Sequence, residues 1–228
     1  MKLIIFDMDQ TLIELIEVHD EAARQLFQRF FGVDARLTNI DYAGKSLFES
    51  FHQLAKMNNI SRETFLSKRD QLLESYEDAF IRNIPADTSK YVLPGVEQLL
   101  AELVKAEDII MLYTGDSKAI VEAVFRATSL GKYFSDCFYG TEVDNRADMI
   151  TLALKRAKAL ANKDFKGKDI VIIGDSLRDI EVSKQFGALM ISVATGVYSE
   201  GKLQKSGADY VFKDLSDYKQ VINAINAG

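Results

Sequence analysis

The chain reads as an α/β protein: a doubly wound parallel sheet interrupted, just after its first strand, by an all-helical insertion. Three observations carry that reading. Short apolar runs recur at residues 2–6, 109–113, 137–139, 170–173, 189–194 and 210–212, and from Gly95 onward they alternate with helical stripes. Repeated strand–helix units of this kind imply parallel strands covered on both faces. Residues 14–88, by contrast, contain no strand-like run, only apolar residues at helical spacing. The only prolines, Pro85 and Pro94, punctuate the end of that stretch. The expected organisation is a core of residues 1–13 and 89–228, with a helical cap at 14–88.

The elements follow in order. Leu3-Ile4-Ile5-Phe6 is a continuous apolar run, as expected of a strand buried on both sides. Val18, Ala22, Leu26, Phe27, Phe30 and Phe31 then form a helical stripe stopped by Gly32. Leu47, Phe51, Leu54 and Ala55 make a second stripe, and Phe65, Leu72, Leu73, Tyr76 and Phe80 a third. In the second half, helices are expected over residues 96–103, from Lys118 to Thr128 with closure at Gly131, over 149–160, up to Gly187, and from Ser216 onward. The Phe27, Phe30 and Phe31 cluster reads as core packing.

Bulk properties narrow the function. At 228 residues with 47% hydrophobic and 27% charged residues, the composition is that of a globular domain with one substantial core. The formal net charge of -6, with no basic stretch to offset it, argues against nucleic acid as a partner. One cysteine, Cys137, excludes an internal disulfide and a thiolate zinc site, and reads as a small buried apolar residue. No apolar run reaches the length of a membrane span, and the chain enters its first strand with no signal-peptide pattern, so a cytoplasmic protein is expected.

Chemistry concentrates at the strand ends, where open α/β sheets bind ligands. The first strand ends in Asp7-Met8-Asp9-Gln10-Thr11, two carboxylates one residue apart, able to supply a nucleophile and a proton donor. The strand at 109–113 ends in Thr114-Gly115-Asp116: a hydroxyl for a phosphoryl oxygen, and a glycine that permits close backbone approach. The strand at 170–173 ends in Gly174-Asp175-Ser176-Leu177-Arg178-Asp179. Asp7, Asp9, Asp175 and Asp179 therefore converge on one mouth. Such crowding calls for a cation, and hard oxygen ligands point to Mg²⁺. Arg146, opening a helix, is placed to neutralise a phosphate and a carboxylate.

Together these residues resemble the haloacid dehalogenase superfamily, and the resemblance extends over the whole chain. Four motifs match in order: the acidic pair with Thr11, the strand-end Thr114, a basic residue, and the segment Gly174 to Asp179. The tail segments 193–198 and 207–211 are similar to phosphoglycolate-phosphatase-like members. The resemblance implies a Mg²⁺-dependent phosphatase acting on a small phosphorylated metabolite. Asp7 is then the nucleophile and Asp9 the acid and base. Asp7, the backbone carbonyl of Asp9 and Asp175 would hold the metal, Thr114 and Arg146 would cradle the phosphate, and Asp179 would orient its neighbours. An acid at position 9 favours phosphate transfer over carbon–halogen cleavage. Crowding by like charges is expected to keep Asp9 partly protonated.

Two positions depart from the family pattern. Gln10 stands where a glycine is usual, and is expected to narrow the site or touch substrate. Arg146 stands where a lysine is usual, with Lys155 as the alternative. Lys45, on the turn Gly44-Lys45-Ser46, is the cap residue expected near substrate. His19 is read as structural, Asp116 or Ser117 as the cap of the helix from Lys118, Asp179 as a possible partner of Arg178 or Lys184, and Lys118 and Arg178 as surface residues. Phosphomutase chemistry, a phosphonoacetaldehyde hydrolase using Lys45, and a phosphate-binding module without turnover remain open beside the phosphatase. A receiver-like signalling domain is disfavoured by the helical insertion.

Overall fold

In the computed structural model, which describes residues 1–143 and 145–228, six strands form one sheet in the order β3-β2-β1-β4-β5-β6, and every neighbouring pair is parallel. The strands are β1 (Leu3–Phe6), β2 (Ile109–Thr114), β3 (Asp136–Tyr139), β4 (Ile170–Gly174), β5 (Leu189–Val193) and β6 (Tyr210–Phe212). The order reverses direction between β1 and β4, so the carboxyl ends of these two central strands flank the crevice where ligands of doubly wound sheets bind. Asp7 and Asp175 immediately follow β1 and β4.

Residues of the central strands are buried on both faces, and their period of two sorts them into two cores. Ile4, Phe6, Ile110, Leu112, Val171 and Ile173 face one side, against α5 (Val96–Lys105), α6 (Lys118–Thr128) and α10 (Tyr218–Ala227). Leu3, Ile5, Met111, Tyr113, Ile170 and Ile172 face the other, against α7 (Arg146–Ala161), α8 (Leu177–Phe186) and α9 (Glu200–Ser206).

Between β1 and β2 the chain forms α1 (Ile16–Phe31), α2 (Leu47–Met57), α3 (Arg62–Leu66) and α4 (Arg69–Asn83). Its entry and exit run side by side: Glu14 N donates to Tyr91 O (2.8 Å) and Leu93 N to Leu12 O (2.9 Å). α1 packs along α4, and Phe27, Phe51, Tyr76 and Phe80 fill the space between the helices. Their rings meet at tilted and edge-on angles, as for Phe51 and Tyr76 with centroids 4.8 Å apart.

Four details differ from the sequence expectations. The stripe from Phe65 to Phe80 is two helices, because a turn at Ser67–Lys68 lets Phe65 pack on Phe48 and His52 while α4 lies along α1. The helix from Lys118 closes at Ser129, which adopts the left-handed conformation (φ 60°), rather than at Gly131. α9 has no counterpart in the expected elements: in seven residues it buries only Leu203, too little for a periodic stripe. Cys137 is half-buried on β3, an outer strand, rather than fully buried.

Candidate active site

A pocket opens over the carboxyl ends of β1, β2 and β4 and is roofed by the helical insertion. Asp7, Asp9, Gln10, Thr114, Gly115, Asp116, Arg146 and Asp175 line the sheet side, and Ile16, His19, Tyr42 and Lys45 are among the residues above. Every residue expected to act directly on substrate or metal therefore reaches one pocket; Asp179 lies just behind it.

Arg146 organises the deep end. At the first turn of α7, its Nη2 donates to Asp7 Oδ1 (3.0 Å), its Nη1 to Asp179 Oδ1 (2.5 Å) and its Nε to the Gly44 carbonyl of the insertion (3.0 Å). The guanidinium also lies over the Tyr113 ring, 4.6 Å from the centroid. Asn145 starts this helix by accepting from Asp148 N, which fixes where Arg146 enters. Lys155, about two and a half turns further along the helix, is on the exposed side of α7.

Asp179 is completely buried and saturated with donors. Its Oδ2 accepts from Ser176 N and Ser176 Oγ (2.8 Å each), closing a reciprocal cap at the start of α8, while Oδ1 accepts from Arg146 and the Tyr113 hydroxyl. It pairs with neither Arg178 nor Lys184. Arg178 instead spans to the insertion, donating to Glu49 (2.9 Å), and Lys184 bonds the Ser206 carbonyl. Lys118 is at the surface, as expected.

Ligand atoms of Asp7, Asp175 and Asp179 lie within 4.8 Å of one another, all three residues buried. Three carboxylates against one guanidinium leave negative charge uncompensated. Burial is the largest influence on Asp7; with Asp179 and Asp9 nearby it outweighs Arg146 and pushes the carboxyl up to about 7. Burial and Asp7 raise Asp175 well above the ordinary carboxylate range. Buried oxygen donors that resist ionisation without a counter-ion suit a hard divalent cation. Asp7 and Asp175 retain free lone pairs for one, whereas those of Asp179 are occupied.

The second acidic pair is neutralised from above. His19, buried on α1, has Nε2 3.2 Å from Asp9 Oδ1 and 3.9 Å from Asp116 Oδ2, and its Nδ1 is 2.7 Å from the Tyr76 hydroxyl. Burial alone would lower the imidazole pKa, but Asp9 and Asp116 raise it to about 9. For Asp9, burial acts upward and the His19 charge and hydrogen bond outweigh it, so its carboxyl sits below the ordinary value. This corrects the expectation that crowding protonates Asp9: the like-charge effect falls on Asp7, Asp116 and Asp175. It also corrects His19, which packs against Phe80 as a structural histidine would and at the same time grips Asp9.

Smaller findings refine the remaining expectations. Gln10 adopts φ 58°, the left-handed region that explains why glycine suits this position. Its amide reaches Glu14 Oε1 (3.4 Å) at the pocket wall. Gly115 is demanded by the insertion: a Cβ there would lie 2.1 Å from the Lys45 carbonyl oxygen, and the Gly115 carbonyl accepts from Leu47 N (3.1 Å). Lys45 lines the pocket, but its ammonium is tied to Asp41, by its carbonyl and by a carboxylate oxygen at 3.3 Å. Thr114 Oγ1 accepts from Asp116 N (3.2 Å), and the helix from Lys118 is capped by neither Asp116 nor Ser117 through a side chain. Sequence reasoning passed over Asp116 as a site residue, Tyr76, Tyr113 and Gly196. The last abuts Asp175 so closely that a Cβ would lie 1.8 Å from its Oδ2.

The chain and its fold have relatives among known proteins. Residues 1–187 match the family model for haloacid dehalogenase-like hydrolases. The chain is 25% identical to a phosphoglycolate phosphatase of Synechococcus elongatus, covering 99% of both chains, and 20% identical to pyrophosphatase PpaX of Bacillus mycoides, covering 98% and 97%. Among solved structures, β-phosphoglucomutase from Clostridium difficile superposes with a TM-score of 0.80 at 19% identity, covering 100% of this chain and 98% of the other.

Proposed function

The chain belongs to the haloacid dehalogenase-like hydrolases, and from that premise we propose that it is a phosphatase of small phosphorylated metabolites, working through an aspartyl-phosphate on Asp7. The observation that carries the reading is the opposed treatment of two neighbouring carboxylates. Asp7 faces Arg146 and Asp175 at the deep end of the pocket, while Asp9, two residues on, faces His19 beneath the insertion. A nucleophile and a proton carrier with separate partners can perform separate tasks.

In the first step a carboxylate oxygen of Asp7 forms a bond to phosphorus as the bond to the leaving oxygen breaks, and Asp9 delivers the proton that this oxygen needs. In the second, water attacks the aspartyl-phosphate, its proton passes to Asp9, and Asp7 is released with inorganic phosphate. Because His19 holds the proton on its side of the pair at neutral pH, delivery runs along the His19–Asp9 hydrogen bond. Arg146 and the Thr114 hydroxyl bind the phosphoryl oxygens. Asp7, Asp175 and the Asp9 carbonyl are the residues that would hold Mg²⁺, which when bound supplies charge compensation for the transferred phosphoryl group. Asp179 keeps Arg146 in place. Residues 14–88 serve as a cap that excludes water from the pocket, and Gln10 and Gly115 shape its floor.

Orthophosphate release from a panel of small phosphomonoesters with Mg²⁺ tests this directly. Turnover should require Mg²⁺ and fall at least about a thousandfold in Asp7→Asn, the scale of removing a covalent nucleophile. Release that survives Asp7→Asn, or none from any ester, overturns the proposal.

A further inference from the structure

The pairing of charges around the pocket bears on the leaving group of the substrate, an inference that rests on the phosphatase reading above. Among the described residues, the basic side chains that line the pocket are Arg146, His19 and Lys45. Arg146 is committed to Asp7, Asp179 and the Gly44 carbonyl. His19 is shared between Asp9, Asp116 and Tyr76. The Lys45 ammonium is held by Asp41, whose carboxylate is itself steadied by the Tyr198 hydroxyl at 3.2 Å. On the insertion side the wall is otherwise made by Ile16, Leu37, Tyr42 and Leu47, with Ser50 adding a hydroxyl.

A phosphoryl group brings about two negative charges at neutral pH, and Arg146 with a divalent cation at Asp7 and Asp175 is suited to balance them. A carboxylate or a further phosphate on the leaving group would enter a half-apolar space in which each lining cation already has an anionic partner. An anion desolvated without a counter-charge is strongly disfavoured. A neutral alcohol meets no such obstacle, and finds the Tyr42, Ser50 and Gln10 polar groups for its own hydroxyls.

We propose that the substrate is a phosphate monoester of a small uncharged alcohol, and that the Lys45–Asp41 pair is the device that discriminates against anionic leaving groups. The chain would then part from relatives named for phosphoglycolate and pyrophosphate, both of which carry a negatively charged leaving group.

The test compares two esters of nearly equal size, 2-hydroxyethyl phosphate and 2-phosphoglycolate, which differ in whether the leaving group bears a hydroxyl or a carboxylate. kcat/KM should favour the hydroxyethyl ester by at least about tenfold, the factor that 1.4 kcal/mol represents. Asp41→Asn, at a largely exposed side chain, removes the carboxylate charge that partners the Lys45 ammonium while keeping the backbone carbonyl that also holds it, and should narrow that ratio several-fold. Equal rates, a preference for phosphoglycolate, or a ratio unchanged in Asp41→Asn would each overturn the inference. Acetyl phosphate separates the two levels. If it is hydrolysed in an Asp7-dependent way while neither ester is, only the leaving-group inference falls; if it and every ester of the wider panel are inert, the phosphatase reading falls with it.

Discussion

Asp7 and Asp9 stand two residues apart, yet their counter-charges come from different parts of the molecule. Asp7 is served by Arg146, on a helix that covers the sheet, whereas Asp9 is served by His19, on the first helix of the insertion. The first pairing joins two residues of the α/β core, with the insertion adding only the Gly44 carbonyl that accepts from Arg146 Nε. The second exists only while α1 is docked over the strand ends. Nucleophile charge is thus a property of the core, and the state of the proton carrier a property of core and insertion together.

Removing Arg146 should break the comparison most severely. Arg146→Ala leaves buried Asp7 and Asp179 facing each other without a cation, and is expected to cost about 3–5 kcal/mol of stability, read from denaturant midpoints of the metal-free protein. Arg146→Lys should recover part of that. A loss below about 1 kcal/mol would mean that the core pairing does not hold the site together.

The pH dependence of stability should separate the two carboxylates. Asp7 is raised to about 7 from an ordinary 3.8, so the folded state keeps a proton that the unfolded state has released. Metal-free stability should therefore fall as pH rises from about 4 to 7, by on the order of 4 kcal/mol from this group. Asp7→Asn should remove this group's share of that fall, leaving the share of the raised Asp116 and Asp175, and Mg²⁺ should stabilise more at pH 7.5 than at pH 5. His19 acts higher: its contribution is fully present below about 6.5 and is lost as pH rises through about 9. His19→Gln should remove that upper slope, worth on the order of 3 kcal/mol, and steepen the lower one, because Asp9 and Asp116 lose the cation that holds them down. Both slopes surviving in both variants would dissolve the distinction between the pairings.

Two smaller effects sharpen it. Glu49→Ala cuts the surface link from the insertion to Arg178 and should cost no more than about 1 kcal/mol, while loosening the insertion enough to raise KM. Gln10→Gly relieves the left-handed backbone at φ 58° but frees the unfolded chain, and should change stability by about 1 kcal/mol or less in either direction.

Much of this is legible in the amino-acid sequence. Uninterrupted apolar runs such as Ile170–Ile173 read as strands buried on both faces because sheets covered by helices on both sides impose that composition. The acids after β1 and β4 read as a site because strand carboxyl ends converge in this architecture. Arg146 was legible from its place at a helix start, and Asp179 from its spacing after Asp175. What escaped depended on partners far along the chain. Asp116 looked like a helix cap, since nothing local shows that His19 approaches it. Tyr76 looked like core, and is core, but its hydroxyl holds the imidazole from a distance of 57 residues. Gly115 looked like a phosphate contact, and its neighbour proved to be the Lys45 carbonyl.

The amino-acid sequence by itself determined the sheet, the helical insertion, and the set of acids and bases at the strand ends, because period, punctuation and motif spacing are local properties of a chain. Tertiary structure alone decided which base meets which acid. His19 rather than a neighbouring carboxylate governs Asp9, and Arg146 rather than a local base meets Asp7, because charge pairing is set by distances of a few ångströms between residues that chain order leaves apart.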